Sequence, residues 1–118
     1  MPIKLTLGWP LSVNHYWVFS SRGTFISKKG KAYLLDANHR TLGLQHNVKD
    51  RLKVSVHAFP PDRRKRDLDN ILKVTGDCLQ KSGVILDDNQ IDEWHVYRCE
   101  VSPPGRLELL IEQREFEV

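Results

Sequence analysis

Three observations predict a two-layer α+β domain, with two helices packed on a mixed β-sheet. Apolar and polar residues alternate with period two in short runs near the start, middle and end of the chain. After the middle run the pattern changes to helical periodicity. The resulting order is strand, hairpin, helix, strand, helix, strand, strand. It is spread over 118 residues, which is enough for one hydrophobic core and not for two, so residues 1–118 read as a single domain.

Ile3, Leu5, Leu7 and Trp9 alternate with Lys4, Thr6 and Gly8, giving a strand with one buried face that Pro10 ends. Residues 11–15 read as a loop. Residues 16–19 and 24–26 flank Ser20-Ser21-Arg22-Gly23 and form a hairpin. Its aromatics and Arg22 are of a kind that touches DNA, but core packing is the expectation for Trp17 and Phe19. Ser27 is placed to cap a helix running to about Asn47. Lys28, Lys29 and Lys31 crowd its first turn, where the helix dipole disfavours cations, so that end is either an anion site or a solvated surface. Leu52, Val54, Val56 and Ala58 mark the middle strand, which runs into Phe59-Pro60-Pro61, where pairing must stop.

The next helix spans residues 67–82. Leu68, Ile71, Leu72, Thr75, Cys78 and Leu79 fall on one face, while Asp69, Lys73 and Asp77 form a row on another. Gly83 is the C-terminal stop signal. Residues 91–101 form a strand with Trp94 and Val96 on one side and His95, Tyr97 and Cys99 on the other. Ser102-Pro103-Pro104-Gly105 turns the chain, and residues 106–113 pair back with Leu107, Leu109 and Ile111 inward.

Composition narrows the function classes. A hydrophobic fraction of 40% fits a globular chain, and no stretch is long and apolar enough to span a bilayer or to serve as a signal peptide. Cys78 and Cys99 form no metal-binding or disulfide pattern, and Cys78 lies on an apolar helix face as a buried thiol. The five histidines show no metal-ligand spacing. A reducing cytoplasm is the expected location. The net charge of +3 is small but uneven: cations crowd residues 63–66, whereas Glu108, Glu112, Glu115 and Glu117 lie in the last eleven residues.

The stretch from Pro61 to Lys73 carries the chemistry. Arg63, Arg64, Lys65 and Arg66 abut the carboxylates Asp67 and Asp69, and Lys73 follows Asp69 at helical spacing. Basic runs suit phosphates, and carboxylate pairs suit a hard divalent cation, which takes oxygen ligands and keeps several waters. A second acidic cluster, Asp87-Asp88-Asn89, follows a short apolar run. Asp67, Asp69 and one of Asp87 or Asp88 suffice for a Mg²⁺ site, with Lys73 neutralising charge on a phosphate or orienting the attacking water. Each residue also has a plainer role. Asp67 can cap the helix, Asp69 and Lys73 can form a surface ion pair of ~0.3–0.5 kcal/mol, Asp87 to Asn89 can be a turn, and Arg63 to Arg66 can be a solvated loop. Taken together, the plain roles require every acid and base to be placed by accident.

The segment from Pro61 to Asn70, with Lys73, Asp77, Gly83 and Leu86-Asp87-Asp88, resembles the RusA family of Holliday junction resolvases. Trp9-Pro10, Ser12 to Asn14, Ile26-Ser27 with Gly30 and Tyr33, and Gly105 to Leu109 extend the likeness over most of the chain. The combination D-x-D-N-x-x-K with a later Asp-Asp is what makes the likeness specific. The resemblance implies a small homodimeric, Mg²⁺-dependent endonuclease of DNA recombination and repair that nicks two opposed strands of a four-way junction. It implies Asp67, Asp69 and Asp88 as the metal-binding acids and Lys73 as the catalytic lysine. Arg63, Arg64, Lys65, Arg66 and Asn14 are the expected DNA contacts. The chain differs from the family around Val13 and His15 and in its first long helix. Two other classes fit the residues: a non-catalytic nucleic-acid-binding module, and a nuclease acting on RNA or on branched DNA generally.

Overall fold

The computed structural model describes residues 2–115, and Glu117 lies outside them. The elements are β1 (Ile3–Gly8), α1 (Val13–Tyr16), β2 (Trp17–Ser20), β3 (Gly23–Ile26), α2 (Lys28–Arg40), β4 (Leu52–Phe59), α3 (Leu72–Lys81), β5 (Ile91–Arg98) and β6 (Arg106–Gln113). Short 3₁₀ turns precede α3 (Leu68–Ile71) and β5 (Asp88–Gln90). The α+β class holds, with one short helix more than expected.

Four strands form a mixed sheet in the order β1-β6-β4-β5, and β2 and β3 form a separate two-stranded sheet. β4 is the centre. It pairs antiparallel with β6 and parallel with β5. Its alternation is strict: Leu52, Val54, Val56 and Ala58 are fully buried. β1 adds antiparallel to β6, placing Leu5 opposite Leu109 and Leu7 opposite Leu107. The sheet's inner face, Ala37 of α2, and Ile71, Cys78 and Leu79 share one hydrophobic cluster.

Three expectations need correction. β6 does not pair back on β5 but inserts between β1 and β4. The connecting turn crosses the end of β4, where the Cys99 amide donates to the Ala58 carbonyl (2.8 Å) and the Ser102 amide to Pro60 (2.8 Å). Helix α2 ends at Arg40 rather than near Asn47. Buried Thr41 turns its hydroxyl back onto the Ala37 carbonyl (2.9 Å), and Gly43, at φ +82°, carries the chain away. Residues 13–15, read as loop, and Tyr16, read as the start of the hairpin, form the helical turn α1, in which the Tyr16 amide donates to the Ser12 carbonyl (2.9 Å).

The Ser27 cap of α2 and the Gly83 stop of α3 hold. The Ser27 hydroxyl accepts from the Gly30 amide (2.9 Å). At the end of α3 the Val84 amide reaches the Leu79 carbonyl (3.1 Å) and the Gly83 amide reaches Gln80 (3.1 Å), with Gly83 at φ +82°; this is the Schellman arrangement. Cys78 is a buried free thiol, and burial pushes its pKa up to about 12, so it is inert at neutral pH.

Candidate functional site

The basic loop is shaped by a residue that sequence reading passed over. Asp62 accepts from the Arg64 amide (2.9 Å) and from Nη1 of Arg66 (2.6 Å). The first contact folds the loop locally, and the second pulls Arg66 inward, where its guanidinium also lies 5.7 Å from the Trp9 ring centroid. The Arg66 cation beside it, with the Arg64 amide, holds the Asp62 carboxyl down to about 2. Arg98 donates to the Arg66 carbonyl (2.7 Å) and ties the loop to the end of β5. The cations therefore divide. Arg63, Arg64 and Lys65 face solvent, whereas Arg66 is a brace within the loop. The spacing Asp62, Arg64, Arg66 was the available signal.

Gly105 sets the entry to this loop. It sits at φ +92°, and a Cβ there would meet Pro61 at 2.9 Å and Trp9 at 3.0 Å, so only glycine lets the turn before β6 pass so close to Pro61. Between Trp9 and the basic loop lies a cleft of about 620 Å³, whose walls include Ser12, His15, Arg64, Lys65, Asp67 and Asn70. His15 was not singled out by its spacing, but it belongs to this cleft, with its Nδ1 3.0 Å from the Ser12 hydroxyl. Asn14 is exposed on α1 and does not line the cleft.

Asp67 occupies the N-cap position of the 3₁₀ turn, but its side chain caps nothing; only its carbonyl accepts, from the Asn70 amide (3.2 Å). The plain role proposed for its carboxylate is therefore absent, and Asp67 and Asp69 are both exposed. Among the described residues no ion pair joins Asp69 to Lys73. The Lys73 ammonium lies instead 5.8 Å from the Trp17 ring centroid. Asp77, the third member of the row, accepts from the Tyr16 hydroxyl (2.6 Å) and from Lys81 (2.8 Å). Burial, and then that bond, push the Tyr16 phenol upward, so it remains a donor. Asp77 thus anchors α1 to α3.

The second acidic cluster separates in the same way. Asp87 accepts from the Asn89 amide (2.9 Å), while the Gln90 side chain accepts from the Asp87 amide (2.7 Å), a reciprocal cap that occupies Asp87 structurally. Gln90 also donates to the carbonyls of Val48 and Asp50 (2.7 and 2.8 Å), pinning the turn to the segment before β4. Asp88 points toward α3. A Cβ on Gly76 would lie 3.4 Å from that of Asp88 and 3.6 Å from Trp94, ordinary contact distances, so Asp88 packs directly over this part of α3 with room for a methyl there. Partial burial, then the neighbouring carboxylates of Asp87 and Asp77, raise the Asp88 pKa.

A hard cation fits this donor set. The acids offer oxygen ligands, and Asp88 sits among like charges that a divalent ion would relieve. Among the described residues no three acidic, His or Cys side chains converge closely enough to form a ready-made cage. Mg²⁺ commonly takes only one or two carboxylates and completes its shell with water and phosphate oxygens.

The comparisons agree with the resemblance read from the motif. Residues 9–112 match the family model described as Endodeoxyribonuclease RusA. The chain is 38% identical over 113 residues to the crossover junction endodeoxyribonuclease rusA of Enterobacteria phage 82, with 91% of each chain covered. It is 40% identical over 114 residues to that of Enterobacteria phage HK97, covering 95% of each, and 37% identical to that of Escherichia coli strain K12, covering 92% of each. The chain belongs to the RusA family of endodeoxyribonucleases.

Proposed function

We propose that this chain is a Mg²⁺-dependent endonuclease that resolves four-way DNA junctions by paired nicks, in recombination and repair. The observation that carries this reading is one edge of the molecule where an exposed basic loop and carboxylates free of other work adjoin: Asp67 lines the same cleft as Arg64 and Lys65. Asp67, Asp69 and Asp88 are the residues that would hold the metal. When bound, a divalent ion lowers the pKa of a coordinated water and stabilises charge building on the phosphate.

The chain's own groups do the rest. Arg63, Arg64 and Lys65 grip backbone phosphates, which positions the duplex without reading sequence. Lys73, unpaired with Asp69 and resting near the Trp17 ring, supplies a cation to the scissile phosphate. Asp88 lies against α3 at Gly76, and Asp77 is kept out of the chemistry by Tyr16 and Lys81. A homodimer with two-fold symmetry would present two such sites to opposed strands of a nearly two-fold junction.

A labelled four-way junction and a linear duplex of the same sequence, each with Mg²⁺ and with chelator, test the reading. Paired nicks only in the junction and only with Mg²⁺ are expected. Cleavage of both substrates would leave a less selective nuclease. A second reading, a binding module without catalysis, draws on the absence of a preformed three-acid cluster among the described residues; it predicts tight, salt-sensitive binding and no cleavage.

A further inference from the structure

The β2–β3 hairpin is a surface that the nuclease reading does not use. Phe19 was expected in the core, yet it is 60% exposed, with Phe25 at 53% and Val18 at 48%. The register explains why both faces are apolar. Val18 opposes Phe25 on one face, and Phe19 opposes Thr24 on the other, so the ribbon carries a phenyl ring on each side. Soluble proteins seldom leave large apolar side chains clustered in water without a use for them.

The hairpin has a fixed base and a free tip. At the base, the Ser27 amide donates to the Tyr16 carbonyl (2.8 Å), and the Ser27 hydroxyl to the His15 carbonyl (2.5 Å). The Tyr16 ring meets Trp17 edge-on at 4.5 Å, and its hydroxyl is tied to Asp77. Gly30 permits this docking, since a Cβ there would meet the Tyr16 carbonyl oxygen at 2.6 Å. At the tip, Gly23 takes φ +124°, and the Ser20 hydroxyl bonds both the Arg22 amide and the Gly23 carbonyl (3.2 Å each).

The surrounding charge selects the partner. No Asp or Glu precedes Asp36 in the chain, whereas Lys4, Arg22, Lys28, Lys29 and Lys31 all do. Arg22 sits at the tip, and the lysines open α2 immediately after β3, all of them exposed. An apolar ribbon whose tip and following helix turn carry cations and no acid of their own matches a polyanion that also offers flat apolar faces. A second copy of the chain would bring the same cations against it. The base of the ribbon, Trp17, is also the ring beside Lys73, so the arm rises next to the proposed catalytic edge.

We propose that the hairpin is a base-stacking arm, with Phe19 and Phe25 taking unstacked bases at the crossover of branched DNA while Arg22 and the α2 lysines hold the flanking phosphates. This rests on the reading of the chain as a junction nuclease. It names the part of the substrate that the arm recognises, which is unpaired or unstacked bases rather than continuous duplex.

The test uses the full chain in chelator, on a four-way junction carrying 5-iodo-deoxyuridine at the crossover, a base that photocrosslinks to stacked aromatic rings. Crosslinks mapping to Phe19 or Phe25 are expected with the junction and not with a linear duplex. In the Phe19→Leu/Phe25→Leu variant, which keeps the apolar character without the rings, the crosslink should vanish. Junction affinity should fall about 100-fold, roughly tenfold for each of two stacked bases, with duplex affinity unchanged. Crosslinks mapping elsewhere, or a variant that binds the junction as the parent does, would overturn the proposal. So would a variant that sediments as a smaller species than the parent, because the ribbon would then be a self-association surface. Cleavage of the same junction with Mg²⁺ is scored separately. A crosslink without cleavage removes the nuclease reading and keeps the arm, and cleavage without a hairpin crosslink removes only the arm.

Discussion

At the scale of single residues, the site is a set of charges whose plainer uses have been taken by their neighbours. Asp87 caps a turn, Asp77 holds Tyr16 and Lys81, and Asp62 folds the basic loop, which among the described residues leaves Asp67 and Asp69 without such partners and Asp88 against the carboxylate of Asp87. For Asp88 this crowding is destabilising. Its pKa is raised, so the folded chain binds that proton more tightly than the unfolded chain does, and ionisation is penalised in the fold. The penalty is absent below the ordinary carboxylate range and fully present at neutral pH. Asp88→Asn should therefore raise the melting temperature in chelator at pH 7, with the advantage disappearing as pH falls below about 4. The same variant should lose cleavage by about 100-fold or more, beyond what second-layer metal contacts are worth. A melting curve no higher than the parent's would remove like-charge crowding from the account. Asp62 behaves oppositely. Its depressed pKa gives stabilisation that is complete above the ordinary carboxylate value and is lost as pH falls toward 2. In Asp62→Asn, the Arg64 amide should exchange hydrogen faster than in the parent at pH 6, and the two rates should converge near pH 2.

At the scale of elements, α3 shows why some of the site was legible and some was not. Its apolar face and its row of charges follow from periodicity, and Gly83 marked its end. The 3₁₀ start over Leu68–Ile71 and the burial of Val74 and Gly76 were not legible, because they depend on what the sheet and the second acidic turn place against the helix. The hairpin's strands were recognised, but not the exposure of Phe19; an aromatic in a strand looks the same whether a core or a ligand covers it. Gly76 offers an element-scale test. Its φ is not positive, and an added methyl would lie at ordinary contact distance from Asp88 and Trp94. Gly76→Ala should thus stabilise the helix interior by about 0.5–1 kcal/mol and leave cleavage nearly intact. Gly76→Val brings two further methyl groups into the same space. It should cost ~1–3 kcal/mol through overpacking and lower cleavage by displacing Asp88, although every acid remains. Thermal unfolding and junction cleavage on the two variants check this, and equal activity in both would show that the spacing of Asp88 from α3 does not matter.

At the scale of the whole molecule, the long-range pairing was the least visible feature. Nothing local in Arg106–Gln113 distinguishes pairing with β5 from insertion between β1 and β4, since both bury Leu107, Leu109 and Ile111. That insertion makes β4 central, so β4 leaves the sheet at Phe59 directly into the basic loop. There Arg106 braces it, with its guanidinium 3.9 Å from the Phe59 ring centroid. The loop is therefore carried on the most buried strand, and its outward cations form a cationic edge beside the cleft. No described helix is long and apolar enough to cross a membrane. If this edge grips DNA, its contribution is electrostatic and additive by phosphate. Each neutralised phosphate contributes about 0.9 to the log–log slope of affinity against salt on duplex arms, so Arg64→Ala/Lys65→Ala should reduce that slope by about 1–2. The Arg64 side chain is 84% exposed, and its ion pair with Asp62 is long (3.9 Å) and solvated, so the melting temperature should hold. Arg66→Ala should do the reverse, lowering stability with a smaller change in slope, because that cation already serves Asp62. Salt titrations of junction binding in chelator separate the two. An unchanged slope in the double variant would take the loop off the DNA and shift the phosphate contacts to the lysines of α2 and the tip of the hairpin.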